Sequence, residues 1–271
     1  MLPSFLLSLR EGLEAALIIG IISVSLRKLN RPELGQAVWG GVTAAIVVSL
    51  AVAILLNIVG AEIQGMGESI YEAVTMLSAA ILLTGMIFWM QRQSRVMKTN
   101  LEAKLRLAAG QQGRPALFMV AFLAVVREGV ELALYLLAAR LATNPLETIA
   151  GTSLGLASAA LIGWILFTST HRLSLTWFFR VTNVLLLFFA AGLVGLGVHA
   201  LNEIGLIPSL VEPLWNINNI LPESSLIGQA LQSLFGYSAE PSLTSAAAYA
   251  LYLAALGLVL FWPRRRAVQQ R

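Results

Sequence analysis

Two short stretches set an arginine and two glutamates inside otherwise apolar sequence: REGLE at 10–14 and REGVE at 127–131. In a helix Glu11 and Glu14 are i and i+3, and Arg10 and Glu14 are i and i+4, so all three project from one side. Arg127, Glu128 and Glu131 repeat the pattern. Carboxylate oxygens favour hard cations, and the same acids can relay protons. Four glutamates against two arginines leave negative charge that a multivalent cation can balance. Each ionised side chain at bilayer depth costs roughly 2.5–3.5 kcal/mol on insertion scales, so two such clusters call for compensation or a function. A buried salt bridge that fixes helix register accounts for one Arg–Glu pair in each copy, and leaves the second glutamate unexplained.

The other candidate ligands are fewer. Glu72 lies one turn inside the third apolar segment, near the outer surface, and is taken with the four motif glutamates as a candidate metal ligand. Glu62 and Glu68, in the loop before it, are expected to be solvated. Neither His171 nor His199 accompanies a motif, and Met86 with Met90 gives a single i,i+4 pair that reads as packing. With no cysteine in the chain, disulfides and thiolate ligands are excluded. The residue chemistry therefore points to a hard multivalent cation or to protons, and goes no further.

The elements that must position these residues are membrane-spanning helices. The chain has 271 residues, 58% hydrophobic and 12% charged, with a mean hydropathy of +0.79. Seven apolar runs, at 4–27, 36–59, 69–90, 116–139, 147–169, 178–200 and 243–262, are each about as long as a helix needs to cross hydrocarbon. The predicted fold is an all-α integral membrane protein with seven transmembrane helices, a single transmembrane domain over 1–271. No signal peptide is expected, because REGLE interrupts the position of an h-region and no basic n-region precedes it.

Basic residues set the orientation. Arg27, Lys28 and Arg31 follow the first run, and Arg92, Arg95, Lys98, Lys104, Arg106 and Arg114 follow the third. Arg172 and Arg180 lie between the fifth and sixth, Arg264, Arg265, Arg266 and Arg271 close the chain, and 60–68 and 201–242 carry no lysine or arginine. The positive-inside rule then gives N-terminus out and C-terminus in, with Arg140 the exception. The net charge of +4 reflects this topology and gives no reason to infer nucleic-acid binding.

The motifs recur 117 residues apart with three helices between them, so their helices cross in opposite directions. That predicts two inverted three-helix repeats, about 1–92 and 116–200, with an outer loop at 201–242 and a last helix at 243–262 outside them. At about 1.5 Å per residue, Glu14 and Glu128 both fall near the midplane, where facing carboxylates can share one ion. Gly12 and Gly129 leave gaps for close helix approach. Within the outer loop, SSLIGQALQSLFGY has apolar residues at helical spacing and predicts an interfacial helix.

The paired R-E-G-x-E motifs in the first and fourth of seven helices resemble the ferric-iron permease family. That family includes the fungal high-affinity iron permease and the bacterial membrane component of a three-part iron-uptake system. YEAVTMLSAAILLTGMIFWM, which carries Glu72, resembles the family's third helix, and LFGYSAEPSL resembles the segment before its last helix. The resemblance implies that Glu11, Glu14, Glu128 and Glu131 handle iron, as Fe3+, with Arg10 and Arg127 as charge partners. It further implies a bacterial cytoplasmic membrane, lipid around the helices, and iron-binding or oxidase proteins outside the cell as partners. Iron is expected as the transported substrate, with no bound cofactor and no enzymatic activity. A proton-coupled carrier of another cation or solute is the alternative reading. An intramembrane carboxylate-iron oxidase is a third, and lacks the usual Glu-x-x-His ligands.

Overall fold

The computed structural model describes residues 1–93, 113–142, 144–168, 175–223 and 225–261. The basic residues Arg95, Lys98, Lys104, Arg106, Arg172, Arg264, Arg265, Arg266 and Arg271, and His171, lie outside the described residues. The described chain is helical: α1 Leu2–Lys28, α2 Gly35–Glu62, α3 Met66–Gln93, α4 Gly113–Ala142, α5 Pro145–Thr168, α6 Leu175–Glu203, α7 Leu226–Phe235 and α8 Leu243–Phe261. Helices cover the described part of all seven expected apolar runs. By length and composition, α2, α5, residues 66–89 of α3 and residues 177–203 of α6 are apolar enough to cross a membrane. The apolar run 243–259 of α8 is shorter, and α1 and α4 carry the charged motifs.

Local sequence explains the helix ends. Arg27 and Lys28 sit in the last turn of α1, where cations favour the negative end of the helix dipole. Asn30 then takes a left-handed conformation, φ 51°, as the chain turns into α2. The Ser225 hydroxyl caps α7 by accepting from the Gly228 N–H at 3.0 Å, and Gly236, φ 64°, ends it.

The helices interlock in a pattern that is the same for both halves. α1 packs along α5, α2 packs along α4, and α3 packs along α6, while α1 and α4 cross at the centre. Space at glycines shows how closely the first two pairings match. A Cβ at Gly41 in α2 would stand 3.1 Å from the Phe122 nitrogen and 3.2 Å from Ala121 Cβ in α4. At Gly151 in α5 it would stand 3.1 Å from the Phe5 nitrogen and 3.2 Å from Ser4 Cβ in α1.

Two buried clusters fix the relative direction of the motif helices. Leu6 and Leu7, at the start of α1, share a cluster with Tyr135, Ala138 and Ala139 near the end of α4. Ile18, Ile22 and Leu26, in the second half of α1, share another with Leu117, Ala121 and Val125 in the first half of α4. The two motif helices therefore run antiparallel. Around them, Trp39, Val47, Leu50 and Leu55 of α2 and Leu146, Ile149, Leu161 and Trp164 of α5 are exposed, an apolar surface suited to hydrocarbon.

The stretch after α6 differs from the expected interfacial helix. α7 packs against α6 and touches α1 and α4. A Cβ at Gly192 would stand 2.6 Å from the Gly236 nitrogen, and the Phe235 ring lies 5.4 Å from Phe188. Gly192 lies about 16 Å along α6 from its Glu203 end, so the tip of α7 enters the bundle rather than lying on its rim. The chain leaving it is tied by Tyr237 donating to the Leu221 carbonyl at 2.8 Å and by Ala239 N–H donating to Glu223 Oε1 at 2.6 Å. Asn202 donates to Ser242 and Thr244, each at 2.7 Å. These bonds give polar groups of the irregular stretch partners within the chain. α8 is joined to α3 through a hydrogen bond between the Tyr252 and Thr84 hydroxyls.

Candidate metal site

The antiparallel crossing of α1 and α4 brings the two motifs face to face. Glu11, Glu128 and Glu131 each offer one carboxylate oxygen, and these oxygens lie within 4.8 Å of one another. Glu11 and Glu128 are buried and Glu131 is partly buried. Among the described residues, Glu11 Oε1 and Oε2, Glu128 Oε2 and Glu131 Oε2 are buried without a hydrogen-bond donor. Ionised oxygens without donors are costly in a low-dielectric interior. One oxygen from each of three carboxylates converging is the donor set a hard cation takes, and a cation bound there would offset the cost of burying them together.

The close approach depends on the two motif glycines. A Cβ on Gly12 would stand 2.7 Å from Ala159 Cβ, and one on Gly129 would stand 2.6 Å from Ser49 Cβ. Each glycine sits beside its first glutamate and lets a neighbouring helix reach the motif. α5 does this for α1, and α2 does it for α4.

The fourth glutamate is engaged differently. Glu14 Oε1 lies 3.4 Å from Arg10 Nε, and it falls outside the converging trio. Arg10 Nη1 is also 3.6 Å from Glu11 Oε1. In the second copy Arg127 Nε donates to Glu131 Oε1 at 2.9 Å, and its guanidinium carbon lies 4.6 Å from the centre of the Trp89 ring. Both arginines therefore sit on a carboxylate of their own motif, as charge partners would.

Glu72 is placed elsewhere. It is half-buried near the start of α3, and the charges that act on it are Glu68 and Glu203. Glu62 and Glu68 are exposed. His199 Nε2 stands 3.8 Å from Glu203 Oε1. Met86 is buried and accepts from the Tyr135 hydroxyl at 3.9 Å. Arg140, the exception to the charge rule, donates to Asn57 Oδ1 on α2 and so has a partner within the bundle.

Two residues near the motifs escaped the sequence reading. Tyr135 is fully buried one turn after Glu131 on the same helix, a spacing that could have drawn notice. Trp89 is 38 residues from Arg127 in sequence, and nothing local signals their contact.

The fold and site together define a polytopic helical membrane protein with acidic residues meeting inside the bundle. A family model described as the Iron permease FTR1 family matches residues 1–267, and the chain belongs to that family. It is 34% identical over 267 residues to the ferrous iron permease EfeU of Yersinia pestis, covering 98% of this chain and 95% of the relative. Likewise it is 35% identical over 274 residues to the ferrous iron permease EfeU of Escherichia coli O6:K15:H31, covering 100% of this chain and 99% of the relative. No solved structure matches the chain. The protein is a multi-pass membrane protein of the bacterial type.

Proposed function

We propose that this protein carries iron into the cell across the bacterial cytoplasmic membrane through the site that Glu11, Glu128 and Glu131 form between α1 and α4. The observation that carries this reading is the convergence of three carboxylate oxygens within 4.8 Å, drawn from two motifs far apart in sequence. Glu14 and the two arginines set the charge around that site. Glu72 supplies a further acid where the ion enters, beside Glu68 and Glu203. Iron is the substrate, and the chain needs no cofactor to bind it.

The two three-helix sets act as inverted repeats about the site, a reading supported by the matched packing at Gly41 and Gly151 and at Gly12 and Gly129. The basic turn with Arg27, Lys28 and Arg31 faces the cytoplasm, so the N-terminus lies outside, the C-terminus inside, and seven helices span. The stitched segment 204–242 then faces outward, where an iron-binding or oxidase protein can deliver to it. A site with more carboxylates than guanidiniums favours the more highly charged ion, Fe3+, whereas the named relatives are ferrous permeases.

Uptake into liposomes holding the purified chain tests this, with Fe3+, Fe2+, Mn2+ and a proton gradient offered separately. Iron uptake lost in Glu128→Gln, with insertion unchanged, is the expected result. Proton or Mn2+ movement without iron would instead favour a carrier of another solute. The chain's lack of cysteine makes orientation testable with single introduced cysteines. Asn30→Cys should label from inside and Ser209→Cys from outside.

A further inference from the structure

Arg127 lies near the middle of α4, about 20 Å along the helix from either end. That exceeds the reach of an arginine side chain, so it cannot place its charge at the headgroups by extending. Its side chain is nevertheless 45% exposed, whereas that of Arg10 is 0% exposed. The Trp89 ring stands over the guanidinium at 4.6 Å, inside cation–π range, while Nε remains bonded to Glu131 at 2.9 Å. Arg127 is thus shared between an anion that belongs to the carboxylate trio and a neutral ring that does not.

We propose that Trp89 is a positioning residue for the metal site, holding Arg127 by its ring so that Glu131 can exchange the guanidinium for a metal cation. A cation entering among Glu11, Glu128 and Glu131 competes with Arg127 for Glu131. With the ring present, the guanidinium keeps a partner when it releases that oxygen. Without it, Arg127 has only the motif carboxylates as partners, with Glu131 the one it is hydrogen-bonded to, and resists the exchange. The proposal rests on the carboxylate trio being the metal site.

The test compares Trp89→Leu, which removes the ring, with Trp89→Phe, which keeps an aromatic face, in iron uptake by full-length protein in liposomes. Trp89→Leu should raise the KM for iron about ten-fold at unchanged maximal rate per inserted molecule, and Trp89→Phe should recover most of that change. An unchanged KM in Trp89→Leu, or Trp89→Phe as impaired as Trp89→Leu, overturns the proposal, the second by making Trp89 a packing residue. Iron binding to the purified chain supplies the other arm. In an Arg127→Gln background the Trp89→Leu change should have no further effect, and an added loss there overturns the proposal. Glu128→Gln, run alongside, separates the two readings. Parental uptake in that variant would defeat the carboxylate site and this proposal together, whereas its loss with a normal Trp89→Leu KM defeats this proposal alone.

Discussion

Arg10 and Arg127 hold corresponding places in two copies of one motif, and the structure treats them differently. The flanking glycines match in their nearest carbon contacts, 2.7 Å at Gly12 and 2.6 Å at Gly129, while the Ser49 hydroxyl comes closer still to Gly129. Yet Arg10 is sealed, with neither Nε nor its terminal nitrogens making a hydrogen bond among the described residues, while Arg127 is half-exposed under Trp89. The offset of 110 residues that relates Gly41 to Gly151 also relates the buried Ala80 of α3 to Ala190 of α6, and it pairs Trp89 with His199. His199 lies 3.8 Å from Glu203 rather than over Arg10. α7 adds a second difference, since it touches both motif helices but lies outside the three helix pairs α1–α5, α2–α4 and α3–α6. Backbone packing thus keeps the symmetry, and side chains that reach the arginines break it.

The largest expected effect is common to both copies. Glu11→Gln and Glu128→Gln should each abolish iron uptake, because either removes a charge from the trio and leaves shape nearly unchanged. Uptake retained in one but lost in the other would show that the copies do not share one ion. Removal of the arginines should then separate the copies. Arg10→Gln leaves Glu11 and Glu14 buried beside each other without the guanidinium that both contact, and loss of one partner of a buried pair costs about 3–5 kcal/mol, so inserted, folded protein should fall sharply. Arg127→Gln leaves Glu131 partly solvated, so the chain should insert and the change should appear in iron affinity. Equal losses of folded protein, measured by detergent-solubilised yield and thermal unfolding, would cancel the proposed difference.

The glycines should bring the copies closer together, since both are destabilised in the same way. Gly12→Ala and Gly129→Ala each press a methyl into a neighbouring helix, and overpacking of this kind costs about 1–3 kcal/mol. Drops in thermal stability are expected at both, the larger at Gly129, where the new methyl meets the Ser49 hydroxyl as well as its Cβ, unless that hydroxyl rotates away. A tolerated Gly129→Ala would mean that α2 shifts where α5 cannot.

Much of the bundle was legible because hydrophobic length and charge report directly on helices in a membrane. The described structure has a helix under each apolar run, and α7, Leu226–Phe235, follows from its apolar spacing and from Ser225 as cap. The depth of α7 was not legible. It depends on Gly236 meeting Gly192 across 44 residues of sequence, a contact with no local pattern. Within the site, spacing along each helix gave the arginine partners Glu14 and Glu131, since an i,i+4 pair is a local geometry. Which carboxylates meet across the crossing is set by the register of α1 against α4, so the convergence of Glu11 with Glu128 and Glu131 needed the packed structure. The contact of Trp89 with Arg127 was hidden for the same reason.

The smallest effect is expected at Glu72, which extends the comparison to the third helices. The second half has Thr182 in the corresponding place by the same offset, with Asn183 beside it, so no acid mirrors Glu72 in α6. Glu72 is half-buried, stands away from the carboxylate trio, and is influenced by Glu68 and Glu203. One charge among several near an entrance raises the local cation concentration without holding the ion, and steering of this kind weakens as salt screens it. Glu72→Gln should therefore slow uptake only about two- to three-fold at low ionic strength, and the difference should shrink at physiological salt, where screening acts over about 8 Å. Initial rates at both ionic strengths provide the check. A loss of uptake that persists at high salt would make Glu72 a ligand on the ion's route, and the route itself would then be asymmetric, with an acidic station in the first half that the second half lacks.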